Sequence, residues 1–124
     1  MELTPLVPAD RQVIERYGRS GFRVTGVVYR GAVIVFPDRT LPWAPAGAAE
    51  VTWESLTPVV EYGGAQILLL GLGRTMCAIP RKLHSACRAA GLVLEPMDTG
   101  AACRTYNVLV AEDRHVAAAL LPLS

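Results

Sequence analysis

The spacing of apolar residues changes character near the middle of this chain. In the first third, residues 13–17, 22–25, 27–30 and 32–36 are short β-rich runs. Gly18, Gly21, Gly26 and Gly31 separate them, as glycines do at tight turns and bulges. The pattern predicts a compact antiparallel meander, closed by Pro37 and Asp38. Residues 40–49 are rich in Pro and Ala and read as irregular. Thr52 is a plausible helix N-cap, and Glu54 supplies charge suited to a helix start. That short helix carries Leu56, Val59 and Val60. Pro58 limits its length or delays its start, and Gly63 with Gly64 ends it.

The second half alternates strand and helix. The unbroken apolar run that ends at Leu70 suits a buried parallel strand, and Gly71, Leu72 and Gly73 are expected to break it. Pro80 fits a first helical position and Gly91 the place just past a helix end. Between them Leu83, Ala86, Cys87 and Ala90 form one apolar stripe. Residues 92–97 read as the next strand. Asp98, Thr99 and Gly100 punctuate it, and a helix runs to about Ala111 with the stripe Ala102, Cys103, Tyr106, Leu109 and Val110. Val116–Leu121 is a last strand. Strand–helix–strand crossovers of this kind are right-handed and give parallel neighbours with helices packed on the sheet. The expectation is an α/β fold: one domain over residues 13–124, preceded by a flexible arm over residues 1–12 that holds Pro5 and Pro8.

Composition narrows the function classes. With 124 residues, 52% apolar and 19% charged, the chain can bury a core without a disulfide or metal staple. Net charge is +1 and no block of like charge appears along the sequence, so nucleic acid is not an expected partner. Cys77, Cys87 and Cys103 are odd in number and form no Cys-x-x-Cys pair, which suits reduced thiols and a cytoplasmic location. The first ten residues show no basic start followed by an apolar run. No apolar run approaches the ~20 residues of a membrane span.

Ligands of open α/β sheets bind outside the carboxyl ends of strands. Two such ends are expected here, at Gly71, Leu72, Gly73 and Arg74, and at Asp98, Thr99 and Gly100. If their strands are neighbours, the loops face each other. Free amide groups and the positive end of a helix dipole near Thr99, with Arg74 and Arg104 close by, then favour a small anion such as phosphate or carboxylate. The candidate ligand-binding residues are Gly71, Gly73, Arg74, Asp98, Thr99, Arg104 and Asn107. The plainer alternative is that the glycines are turn residues and Asp98 or Thr99 a simple helix cap. A dinucleotide fingerprint would need glycine where Met76 stands, and no phosphate-loop Lys-Ser or Lys-Thr occurs.

Cys103 lies near the start of its helix, where a thiol can become reactive. It also lies on the apolar stripe, where cysteine serves as a small buried hydrophobe. His84 and His115 are far apart, and no metal-ligand spacing or serine elbow is present, so neither a metal, a cofactor nor a catalytic residue is expected. Trp43 and Trp53 are candidates for an interface or for packing under the irregular segment. Val108 stands on the outer side of the last helix and is a candidate contact residue.

Several of these segments together resemble one family. They are Gly21-Phe22-Arg23-Val24, Gly31, Pro42-Trp43, the run from Leu68 to Gly73, and above all the stretch from Met97 through Asp98, Thr99, Gly100, Cys103 and Tyr106 to Leu109. The chain is similar, over roughly residues 13–121, to the Mth-type domain family of largely unknown function. That family's branches include a mitochondrial complex I assembly factor and an adipogenesis-associated protein. The resemblance implies a three-layer α/β fold with a mixed central sheet and a β-hairpin portion. It supplies no catalytic residue. Its mitochondrial members act as assembly factors through protein contacts. The lack of any catalytic set makes a non-enzymatic protein-binding or assembly module the first functional expectation; the alternative is a small-anion binding protein or an unassigned enzyme that uses the crevice between residues 71–74 and 98–104.

Overall fold

A computed structural model describes residues 10–75 and 77–123. Most of the arm expected at the N-terminus therefore lies outside the described residues. Two of its residues are fastened: Gln12 donates its amide to the Pro37 carbonyl at 2.8 Å, and Arg11 pairs with Asp113 at 2.7 Å.

Three short strands, β1 (Ile14–Tyr17), β2 (Gly21–Val24) and β3 (Val27–Arg30), form an antiparallel sheet in that order. The β2–β3 turn is Thr25-Gly26, with φ of 45° and 81°. Both residues are left-handed, which matches the twist of a two-residue hairpin. Next come β4 (Val33–Phe36) and β5 (Arg39–Pro42). Here the structure departs from the sequence reading. β4 does not continue the meander but joins a second sheet, and Pro37-Asp38 is the turn of a β4–β5 hairpin. Residues 40–42, expected to be irregular, belong to β5. Its proline is tolerated because β5 is an edge strand.

Two 3₁₀ turns lead into α1 (Thr57–Tyr62), which starts just before Pro58 and ends at Gly63, whose φ is 76°. The remaining elements are β6 (Ile67–Leu72), α2 (Arg81–Ala89), β7 (Val93–Met97), α3 (Thr99–Ala111) and β8 (Val116–Leu121). β6 runs two residues past its expected end, through Gly71 and Leu72. The large sheet has the order β5-β4-β8-β6-β7. β6 is parallel to both neighbours, while β4 is antiparallel to β5 and β8.

Strand alternation divides the core into two layers. Ile34, Phe36, Leu68, Leu70, Ala117 and Ala119 face α1 and α2, where Leu56, Val59, Leu83 and Cys87 meet them. Val33, Val35, Leu69, Val116, Ala118 and Leu120 face α3 and the small sheet, where Ala102, Cys103, Tyr106, Val110, Ile14 and Phe22 complete the packing. β8 is buried along its whole length. The fold is the three-layer mixed α/β architecture expected.

Candidate functional site

The corner after β6 and the corner before α3 do meet. Their strands pair in register as far as Gly71 and Met97. The amide of Thr99 donates to the Gly73 carbonyl at 2.8 Å, and the amide of Gly73 donates to Thr99 Oγ1 at 2.8 Å. Thr99 is fully buried and its hydroxyl donates onward to the Leu121 carbonyl. One threonine thus ties together the ends of β6, β8 and α3.

That junction is closely packed. A Cβ on Gly71 would meet Leu120 Cδ2 at 2.9 Å and Thr99 Oγ1 at 3.1 Å, so the glycine lets α3 start against the sheet. Gly73 has φ of 95°, a conformation that side chains rarely adopt. Asp98 is the N-cap of α3 and accepts the Ala101 amide at 2.9 Å. The helix start therefore has its own carboxylate in place.

Asn107 sits elsewhere, two turns along α3. Its amide oxygen accepts the Ile14 N–H at 3.0 Å and its amide nitrogen donates to the Ile14 carbonyl at 2.9 Å. It supplies one residue's worth of strand pairing to the free edge of β1. Arg104 points back over the helix start, with its guanidinium donating to the Tyr17 hydroxyl at 3.2 Å. Arg74 is exposed beside it. Together Tyr17, Arg74, Asp98, Gly100, Arg104 and Leu123 line a hollow of about 300 Å³. Of the seven residues named from sequence, Arg74, Asp98 and Arg104 border this hollow. Gly71, Gly73 and Thr99 lie in the packed seam beneath it, and Asn107 lies on another face.

Tyr17 was not visible to sequence reasoning as part of this corner. It comes from the other sheet, and its hydroxyl oxygen is 2.8 Å from where a Gly100 Cβ would be. Tyr106 was read as an apolar stripe residue, but its buried hydroxyl lies 3.0 Å from the Gln12 carbonyl and 3.2 Å from that of Phe36. Burial pushes its pKa above the ordinary tyrosine value.

Cys103 is fully buried, and burial raises its thiol to about 12. This selects the packing alternative over the reactive one. Cys87 is buried as well, whereas Cys77 is exposed. Trp43 is also a packing residue: it is 6% exposed and its indole N–H donates to the Ser55 carbonyl at 2.7 Å. Of the two alternatives this selects packing over an interface, since the side chain anchors the end of β5 to the 3₁₀ turns. Trp53 is half-buried against the same core. Val108 is 57% exposed, as its position on the outer face of α3 requires. No group of His, Cys, Asp and Glu among the described residues could hold a metal ion. No helix among them is long and apolar enough to cross a membrane.

The sequence model of a protein family of unknown function, DUF498/DUF598, matches residues 14–121. An uncharacterized protein of Rhodobacter capsulatus is 35% identical over 89% of this chain and 84% of its own length. A Xenopus tropicalis protein named NADH dehydrogenase [ubiquinone] 1 alpha subcomplex assembly factor 3 is 32% identical over 92% of this chain. The chain spans 63% of that relative's length. Among solved structures, one described as an outer membrane protein of Bartonella henselae superposes with a TM-score of 0.84 at 35% identity, covering 92% of this chain and 97% of that one. A Mth938-like domain from Bordetella pertussis superposes with a TM-score of 0.82 at 27% identity, covering 100% of this chain and 94% of that one.

Proposed function

The chain belongs to the protein family of unknown function DUF498/DUF598, and on that premise we propose that it works by binding another protein, as an assembly module. The observation that carries this reading is on the surface. Val27 and Val28 are adjacent on β3 and are 51% and 73% exposed. Strand alternation sets them on opposite faces, so they flank the open edge of β3 rather than form one patch, and an edge strand with exposed apolar side chains is a template for pairing with another chain. Val108 on α3 is a further such residue. The likeness to a protein named as an assembly factor points the same way. Three of the polar residues named from sequence meanwhile have structural tasks: Thr99 seams three elements, Asp98 caps a helix, and Asn107, away from that corner, closes a strand edge.

The test is purification of the tagged chain from its own host at native expression, with mass spectrometry of co-purifying proteins. The expected result is a partner in stoichiometric amount that is lost with Val28→Asp. Recovery of the chain alone, under low-salt conditions and with cross-linking, refutes the reading.

A second reading rests on the two arginines, Arg74 and Arg104, that flank the 300 Å³ hollow at the start of α3. In it, a small anion such as phosphate sits between them. A thermal shift with inorganic phosphate that Arg104→Ala abolishes would support it. A shift that Arg104→Ala leaves unchanged would remove it.

A further inference from the structure

The two sheets present four edges, and three of them carry a guard. On β1, the Asn107 side chain bonds both the N–H and the C=O of Ile14. On β7, Val93 donates its amide towards the β6 side, so alternation turns Leu94 and Pro96 outward, and Pro96 has no donor. On β5, the register Phe36↔Arg39 and Val33↔Pro42 turns Pro42 outward, which removes a donor there too.

β3 has no such device. Val24 and Val27 close the hairpin as the hydrogen-bonded pair, so Val28 and Arg30 direct their N–H and C=O away from β2. The phase is fixed independently by Gly31, whose amide turns back to the Ser20 carbonyl at 2.8 Å. Among the described residues, no hydrogen bond reaches the outward groups of Val28 or Arg30. The strand offers main-chain pairing at two alternate residues, and one of them, Val28, is the most exposed large apolar side chain described.

The face beside this edge is cationic, although the sequence shows no charged run. Register sets Arg16 opposite Arg23, and Arg23 opposite Val28. Arg30 stands two residues further along β3 on the same face. A depression of about 390 Å³ spans these side chains. Residues 14–30 hold four arginines and one acid, Glu15, in a chain of net charge +1. Glu15 binds Arg23 at 3.1 Å, but Arg16 and Arg30 have no acidic side chain within reach among the described residues. Two arginines directly opposed across strands oppose folding, and a partner's carboxylates would relieve them.

We propose that β3 is a docking edge for an extended acidic segment of a partner protein. The segment adds as a fourth strand through Val28 and Arg30. It places an apolar side chain beside Val28 and, two residues away, a carboxylate beside Arg30. This rests on the protein-binding reading and names its surface and the chemistry of its partner. Charge selects the occupant. A second copy pairing β3 to β3 would bring two arginine faces together on one continuous sheet, whereas an acidic strand neutralises that face.

The probe is a fluorescein-labelled peptide repeating Glu-Thr-Val-Thr, titrated into the full chain by anisotropy and followed by amide NMR and hydrogen exchange. The expected result is binding that weakens from about 50 mM to about 0.5 M salt, with new protection of the Val28 and Arg30 amides. Arg30→Glu weakens it about fivefold or more. Val28→Pro, which removes an outward N–H and no internal one, abolishes the protection. Should Val28→Pro fail to fold, the Arg30→Glu titration and the amide protection still decide. The proposal is overturned by no binding, by binding indifferent to Arg30→Glu, or by shifts confined to residues away from β3, such as the Arg74–Arg104 hollow. It is overturned equally if the peptide-free chain sediments as a dimer with both amides already protected, or if anionic vesicles bind the valines and the peptide does not. A native partner whose binding ignores Arg30→Glu would sink this edge and spare the assembly reading. Peptide binding without any native partner would do the reverse.

Discussion

Replacing Thr99 with valine keeps the shape of the side chain and removes one hydroxyl, yet the effect should be large. The hydroxyl accepts from the Gly73 amide and donates to the Leu121 carbonyl, and Thr99 itself has no exposure. Gly73 and Leu121 are buried too, so water does not readily take its place. A buried polar group left without a partner costs about 1–3 kcal/mol, and two groups are orphaned. The added methyl returns less than about 1 kcal/mol. The net expectation is a loss of about 2–4 kcal/mol, which for a domain of this size lowers the thermal midpoint by roughly 10 °C. Thr99→Ser keeps both hydrogen bonds and loses one buried methyl, at about 1 kcal/mol. Urea unfolding followed by the fluorescence of Trp43 and Trp53 measures all three proteins. Stability of Thr99→Val within about 0.5 kcal/mol of the parent would refute the reasoning, as would a serine variant less stable than the valine one.

Asn107→Leu strips both hydrogen bonds from the edge of β1 and should cost about 2–4 kcal/mol; hydrogen exchange should accelerate first at Ile14, and uniform acceleration across the chain would contradict a local role. Cys103, raised to about 12, and Tyr106, raised by burial, both hold their protons in the folded state beyond the pH at which they lose them unfolded. Their stabilisation is complete below the unfolded values and fades as pH climbs from about 9 towards 12, with a slope of up to about 1.4 kcal/mol per pH unit for each group. Cys103→Ala should flatten the start of that decline in urea titrations between pH 8 and about 11, and an unchanged slope would count against it. Of the three thiols, Cys77 alone is exposed. A thiol reagent at neutral pH should therefore modify one equivalent quickly and the other two only on unfolding; rapid loss of all three would show that the α2 and α3 packing is wrong.

The order and type of the later elements were legible because apolar runs, Pro80, Gly91 and Asp98 mark them at the right spacing. β8 was read to the residue, since Val116–Leu121 is bounded by charged and proline positions. What failed were partnerships. β4 was assigned to the meander because it follows β3 after one glycine and Ala32, whereas its partners are β5 and the distant β8. β5 was hidden by Pro42, whose missing donor costs nothing on an edge. β6 seemed to end at Gly71 because glycine usually breaks strands; here it is the close approach of Thr99 that demands it. At the candidate site, adjacency of the two corners was deducible from the crossover rule. That Thr99 would fill the space between them was not, because a cap residue and a buried seam share one sequence signature. The arginine face was invisible for a related reason: Arg16, Arg23 and Arg30 are spaced by seven residues and meet only through strand register.

The position of β8 has a consequence for how the chain is made. The strand that lies at the centre of the large sheet, between β4 and β6, is the last to leave the ribosome among the described strands. Until it arrives, β4 and β6 each lack an inner neighbour, and their apolar faces wait in a half-built sheet. A nascent chain stalled before Val116 would thus expose those faces to chaperones, and the large sheet can close only once β8, the last of the described strands, has emerged.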